Sequence, residues 1–99
     1  MIENIQQLVS PLPVTITEYG IPTTDDLSRE QQAAYLERGI LLALAQGATD
    51  VCWYSLQNGE DPDNIEDNFG LIDHNGDWSI TAETFFQLGE KLSNATTIA

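Results

Sequence analysis

The chain has 99 residues, of which 41% are hydrophobic, and its 16 acidic side chains against three basic ones give a net charge of −13. Such a field repels phosphate groups and anionic lipids, so it argues against nucleic-acid and membrane partners, whereas neutral sugars remain compatible with it. No apolar window of about 18 residues is long enough to span a bilayer, and no basic region followed by an apolar stretch marks a secretion signal. We expect a soluble protein of unassigned compartment.

The first elements are a helix end and a short strand. Residues 1–10 carry apolar side chains at helical spacing, and the prolines that follow end this pattern. A strand is predicted at 13–18, with Val14, Ile16 and Glu18 on one face by the alternation of strand side chains. The strand therefore ends in a carboxylate, which is a way of holding a reactive group on rigid backbone.

A long helix should follow at residues 28–46. Ser28 and Gln31 have the spacing of a capping box, in which the serine hydroxyl accepts a hydrogen bond from the backbone N–H three residues later. Gly47 suits the position after the helix, because glycine tolerates a left-handed backbone.

A second strand is predicted at 50–56, where β-branched and aromatic residues form a short apolar run, and a last helix at 81–93. Cys52 is expected to be a small buried side chain without a chemical role. The order helix, strand, helix, strand, helix predicts a parallel α/β fold with right-handed crossovers. Two parallel strands alone leave both sheet edges open, so we expect a missing barrel portion or self-association to complete the sheet.

Several segments together resemble the last two β/α units of retaining glycoside hydrolases of the cellulase, mannanase and xylosidase-like clan. Thr17-Glu18-Tyr19-Gly20 resembles the end of their seventh strand, Trp53-Tyr54 their eighth strand, and Asp67–Asp73 the segment before their last helix. The resemblance implies a partial (β/α)8 TIM barrel, about its last quarter. One departure is that Ser79–Ala82 stands where the family usually has Lys-Pro-Ala-Tyr. The implied boundaries are the end of helix 6 at 1–10, strand 7 at 13–18, helix 7 at 28–46, strand 8 at 50–56 and helix 8 at 81–93.

The resemblance also implies an activity and a site. The parent enzyme would hydrolyse O-glycosidic bonds of a β-linked glycan without a cofactor, with Glu18 as the nucleophile. Trp53 would form a sugar platform, and Tyr19 or Tyr54 would donate a hydrogen bond to the sugar or the nucleophile. The acid/base of the family, the glutamate of an Asn-Glu pair, would lie roughly 90 residues upstream at the usual unit length. The chain alone is therefore expected to be inactive.

Other interpretations stay open from the residues themselves. Glu18 also fits a solvated strand-end carboxylate, and Trp53 fits a core residue. The chain as a whole also fits a non-catalytic carbohydrate-binding or interaction fragment, in which Trp53 and the acidic loop at 57–69 bind without chemistry. Asp73, Asn75 and Asp77 have the spacing of the first calcium-loop ligands, but the rest of that template is absent, so no metal site is predicted. His74 is interpreted as a turn residue.

Overall fold

The computed structural model describes residues 12–93. It contains strand β1 (Val14–Tyr19), helix α1 (Arg29–Ala45), strand β2 (Ala48–Trp53), a 3₁₀ helix (Ile65–Asn68) and helix α2 (Ile80–Ser93). The two strands pair in parallel. The predicted class is confirmed in its coarse form, because this part of the chain is a small α/β unit with two parallel strands and two helices. The helix predicted at 1–10 lies outside the described residues.

The sheet pairing contains an extra residue near the end of β1. Ile16 lies opposite Val51 and Tyr19 opposite Trp53, so three steps along β1 match two steps along β2. This is a β-bulge, which changes the direction in which the following side chains point. The bulge falls beside Glu18, the residue that the family resemblance implies as the nucleophile.

Strand β2 is placed earlier than the predicted strand at 50–56. It begins at Ala48 and ends at Trp53. The backbone N–H of Tyr54 still donates to Tyr19 of β1 at 2.9 Å, and from Ser55 onward the chain bonds to a later segment instead. The backbone N–H of Ser55 donates to Phe69 at 3.0 Å, and that of Leu71 donates back to Ser55 at 3.0 Å. The segment after β2 is therefore held by the residues that precede α2.

Helix α1 begins and ends as its sequence predicts. The Ser28 hydroxyl accepts from the backbone N–H of Gln31 at 3.2 Å, and the Gln31 side chain accepts from the backbone N–H of Ser28 at 2.8 Å, which confirms the capping box. Gly47 has a φ of 109°, in the left-handed region that glycine adopts without strain. Both ends of α1 are thus fixed by local chemistry.

The hydrophobic core lies between one face of the sheet and the two helices. Leu36, Ile40, Leu71, Ala82 and Leu88 form its buried centre. Tyr19, Val51 and Trp53 of the strands pack against this cluster, while Ile16 packs against Ala43 and Ala48. The inward side chains of both strands therefore face the helices.

A fully buried glutamine connects the loops of the fold. The Gln32 Nε2 donates to the carbonyl of Ile21 at 2.8 Å, and its Oε1 accepts from the Thr81 hydroxyl at 2.8 Å and from Arg29 at 2.6 Å. Arg29 also donates to the carbonyl of Gly70 at 2.6 Å. Because a buried amide is stable only when its hydrogen bonds are made, Gln32 fixes the loop after β1 against the start of α2.

The opposite face of the sheet is exposed in the described part of the chain. Thr15, Thr17 and Cys52 all lie on this side of the strands. The expectation that Cys52 is buried is wrong, since its thiol is exposed and free. The reason is that only one of the two faces of this sheet is covered by helices. Among residues 12–93, neither helix has the length and apolar character that a bilayer crossing requires.

Candidate functional site

A cleft lies at the edge of the sheet where both strands end. Its volume is ≈ 370 Å³. Glu18, Gly20, Tyr54, Glu66 and Phe69 line it. Because the strands are parallel, their carboxyl ends meet at one edge, which brings Glu18 and Tyr54 together although 36 positions separate them in the sequence.

The β-bulge and Tyr19 determine which way Glu18 points. The Tyr19 ring packs against the core, and its hydroxyl donates to the carbonyl of Tyr35 in α1 at 2.8 Å. Ile16 and Tyr19 therefore both face the helices, although they are three positions apart. Glu18 is exposed and lines the cleft. The prediction that Glu18 shares a face with Val14 and Ile16 is wrong, because the bulge breaks the alternation.

Burial raises the pKa of Tyr19 above its ordinary value of 10.0 by desolvation of the charged form. The folded state therefore favours the protonated phenol. The resulting contribution to the free energy of unfolding is complete below the unfolded pKa and is lost as the pH rises through the folded pKa.

We expect the urea midpoint of unfolding to fall between about pH 9 and about pH 11, and to fall less in Tyr19→Phe, which has no phenol to ionise there. Urea titrations followed by tryptophan fluorescence at the two pH values measure this. An equal fall in both proteins would show that Tyr19 does not link ionisation to folding.

Two aromatic rings form the other wall of the cleft. The rings of Tyr54 and Phe69 meet edge to face with centroids 5.3 Å apart. The backbone N–H of Tyr54 donates to the carbonyl of Tyr19 at 2.9 Å, and the Tyr54–Ser55 peptide bond is cis. A side chain on Gly20 would overlap the Tyr54 carbonyl and approach the Phe69 ring, so only glycine permits this close approach.

Trp53 lies on the other side of its strand. Its indole packs against the core and the Tyr19 ring, with centroids 5.5 Å apart, and its Nε1 donates to the carbonyl of Phe69 at 3.1 Å. The resemblance implicates three aromatic residues in substrate binding. The structure places Tyr54 in the cleft, whereas the side chains of Tyr19 and Trp53 pack against the core on the other side of the sheet. The position of Trp53 favours the packing interpretation.

The sequence did not single out Glu66, Phe69 or Gly20 as cleft residues. Glu66 reaches the cleft from the first turn of the 3₁₀ helix. Asn64 caps this helix, because its side chain accepts from the backbone N–H of Glu66 at 3.1 Å. Asn68 closes the same loop by donating to the carbonyl of Asn64 at 2.8 Å. An Asn-capped turn is visible in the sequence, but the side of the sheet that it covers is not.

Two carboxylates of the acidic loop accept hydrogen bonds from the backbone of the same loop. The carboxylates of Asp61 and Asp67 each accept from a backbone N–H, at 2.9 Å from Asp63 and 3.0 Å from Asp61. Among the described residues, no group of three or more acidic, His or Cys side chains is arranged to hold a metal ion.

The residues with calcium-loop spacing are engaged in a turn. Asp73 forms an ion pair with Arg29 at 2.8 Å, and the Asn75 side chain accepts from the backbone N–H of Asp77 at 3.3 Å. His74 is exposed, and its carbonyl accepts from the Gln57 side chain at 2.8 Å. These contacts are those of a surface turn.

Known structures share this fold. A family 39 glycoside hydrolase from Bacteroides cellulosilyticus superposes with a TM-score of 0.82 and 31% identity, over 94% of this chain and 21% of that chain. A GH5_18 protein from Bifidobacterium longum, in complex with Manβ1-4GlcNAc, gives a TM-score of 0.76 at 21% identity, over 95% and 25% of the two chains. A GH5_18 protein from Streptomyces cattleya, in complex with GlcNAc, gives 0.76 at 15% identity, over 97% and 24%.

No protein-family model and no curated protein matches the sequence. The chain spans between 21% and 25% of the length of the glycoside hydrolases above. The two comparisons at 21% and 15% identity show the fold alone, whereas the first, at 31%, adds a likeness of sequence. The resemblance that the sequence predicts is therefore confirmed: over nearly all of its length, this chain is similar to about a fifth of a family 39 glycoside hydrolase.

Proposed function

We propose that this chain is the C-terminal β/α portion of a retaining glycosidase with a (β/α)8 barrel, and that Glu18 is its nucleophile. The parent enzyme hydrolyses O-glycosidic bonds of a β-linked glycan. The observation that carries the proposal is the shared cleft at the carboxyl edge of the sheet, where Glu18 from β1 meets Tyr54 from the end of β2. Active sites of barrel enzymes lie at this edge.

The geometry around Glu18 suits nucleophilic attack on a sugar. Its carboxylate is exposed, and no described side chain donates a hydrogen bond to it or pairs with it. The strand, the bulge and the buried Tyr19 fix the backbone on either side of it. A nucleophile that is free of partners but held on rigid backbone can approach an anomeric carbon without first breaking a contact.

Retaining hydrolysis needs a second carboxyl group, about 5 Å from the first, which protonates the leaving oxygen. The resemblance assigns that role to a glutamate outside these 99 residues. Glu18 alone has no leaving-group proton to give, because it must be ionised to attack. We therefore propose that this chain supplies the nucleophile and one wall of the cleft, and that the rest of the barrel supplies the acid.

The wall opposite Glu18 is suited to hold the sugar. The Tyr54 and Phe69 rings offer apolar surface to the C–H groups of a pyranose, and the Tyr54 hydroxyl offers a hydrogen bond. We assign Tyr54 to substrate contact. Tyr19 and Trp53 do not line the cleft; we propose that they hold its backbone in place by packing against the core.

A hybrid enzyme tests the proposal. In it, this chain replaces the matching segment of the Bacteroides cellulosilyticus glycoside hydrolase, to which it is 31% identical. We expect the hybrid to hydrolyse the substrate of that enzyme, while the isolated chain shows no turnover. A hybrid that unfolds cooperatively but has no activity would instead favour a non-catalytic, carbohydrate-binding role for the chain.

A further inference from the structure

We infer that the site selects neutral sugars against anionic ones such as uronic acids, and that Glu66 contributes to this selection together with Glu18. The inference rests on the proposed function, since it concerns the sugar bound in the same cleft. Its basis is the charge around the cleft and the location of the few cationic side chains.

Glu66 adds a second carboxylate to the cleft. It lies on the 3₁₀ helix after β2 and lines the same space as Glu18 and Tyr54. Its backbone N–H is fixed by Asn64, while no described side chain donates a hydrogen bond to its exposed carboxylate. That carboxylate is therefore able to accept hydrogen bonds from sugar hydroxyls, and it repels any carboxylate that a sugar carries.

A neighbouring cleft of ≈ 440 Å³ carries charge of the same sign. The loops after β1 and β2 line it, and its acidic residues are Asp25, Asp26 and Asp63. The 3₁₀ helix is the shared wall, because Ile65 and Asn68 face this cleft while Glu66 faces the other. A glycan that extends from one cleft to the other would remain within negative potential.

The three cationic side chains of the chain are all placed elsewhere. Arg29 is engaged by Asp73, Gln32 and the Gly70 carbonyl, and Arg38 lies over the Tyr35 ring on the surface of α1, 5.9 Å from its centroid. Lys91 belongs to the last turn of α2. None of them lines either cleft. An anionic sugar would therefore meet two carboxylates at Glu18 and Glu66 and no compensating cation from this chain.

Two matched ligands test the selection on the chain itself. Methyl β-glucoside and methyl β-glucuronide differ by one carboxylate, and the backbone amide resonances of Gly20, Tyr54 and Phe69 report binding in the cleft by NMR. We expect the glucoside to shift these resonances and the glucuronide to bind roughly tenfold more weakly at low salt, with a smaller difference at about 0.5 M salt.

Glu66→Gln removes one charge and keeps the shape of the side chain. We expect it to strengthen glucuronide binding by roughly two- to fourfold and to leave glucoside binding within about twofold. Glu90→Gln is the matched control, because Glu90 is exposed on α2, away from the cleft, and its replacement changes the net charge equally. Its glucuronide affinity should equal that of the wild type.

The outcomes separate this inference from the proposed function. Equal affinity for both ligands, or the same effect of both variants, overturns the selection by Glu66 while the sugar site stands. If neither ligand shifts the three resonances, the chain does not bind sugar in this cleft and the inference fails, whereas the proposed function is decided by the activity of the hybrid enzyme.

Discussion

Replacing Glu18 by Gln in the hybrid enzyme should lower kcat by about 10³-fold or more, because loss of a catalytic nucleophile removes bonding that is made only along the reaction path. The amide has the size of the carboxylate but is a poor nucleophile, so substrate binding should change little and KM should stay within a few-fold. Initial rates measured over a range of substrate concentrations separate the two constants.

Glu30→Gln is the control for the loss of one charge. Glu30 is exposed in the first turn of α1, and it does not line the cleft that contains Glu18. Its replacement should leave kcat within about twofold, since a surface charge has a weak effect on a distant reaction. Comparable activity of the Glu18 and Glu30 variants would contradict the assignment of Glu18.

Gly39→Ala should lower the free energy of unfolding by about 1–3 kcal/mol, although alanine is the better helix former. Gly39 lies within α1, and a side chain there would overlap the hydroxyl and ring of Tyr19. The ring would have to leave its place, and its hydrogen bond to Tyr35 would be lost. Because Tyr19 follows Glu18 directly, the cleft should be disturbed as well. Urea unfolding of the chain measures the change in stability.

Gly89→Ala should have the opposite effect on the free energy of unfolding. Gly89 lies within α2, and no atom lies within 4 Å of the position of an added Cβ. Only the gain in helix propensity remains, so this variant should be more stable by about 0.5–1 kcal/mol. If Gly39→Ala is also stabilising, Tyr19 is not packed against α1 as described.

The parts of the fold that the sequence predicts correctly depend on local chemistry. The capping box of Ser28 and Gln31 and the left-handed Gly47 form within a few residues of themselves, so their spacing suffices to predict them. The parallel pairing follows from the order of strands and helices, because a helical crossover returns the chain in the same direction.

The parts that the sequence does not predict depend on distant contacts. The β-bulge exists because Tyr19 packs against α1, and nothing between Val14 and Tyr19 marks it. The early end of β2 depends on pairing with Phe69 and Leu71 across the acidic loop. Similarly, Cys52 is exposed because of what covers the sheet, which its own neighbours in the sequence do not specify.

The same distinction applies to the site. The position of Glu18 at a strand end is visible in the sequence, and the structure brings it into a cleft with Tyr54. Glu66 enters that cleft only because the loop after β2 folds back over the strand ends. Whether Trp53 or Tyr54 lines the cleft depends on the face of the sheet to which each side chain points, and packing against the core determines this for Trp53. A one-residue difference in register is enough to exchange their roles.

As the proposed nucleophile, Glu18 should form a covalent bond to the sugar, and peptide mapping tests this most directly. The hybrid enzyme is incubated with an activated 2-deoxy-2-fluoro glycoside, which slows hydrolysis of the glycosyl-enzyme, and is then digested and sequenced by mass spectrometry. We predict one sugar adduct on the peptide that contains Glu18, and none in the Glu18→Gln variant. An adduct on another carboxylate, such as Glu66, would contradict the assignment.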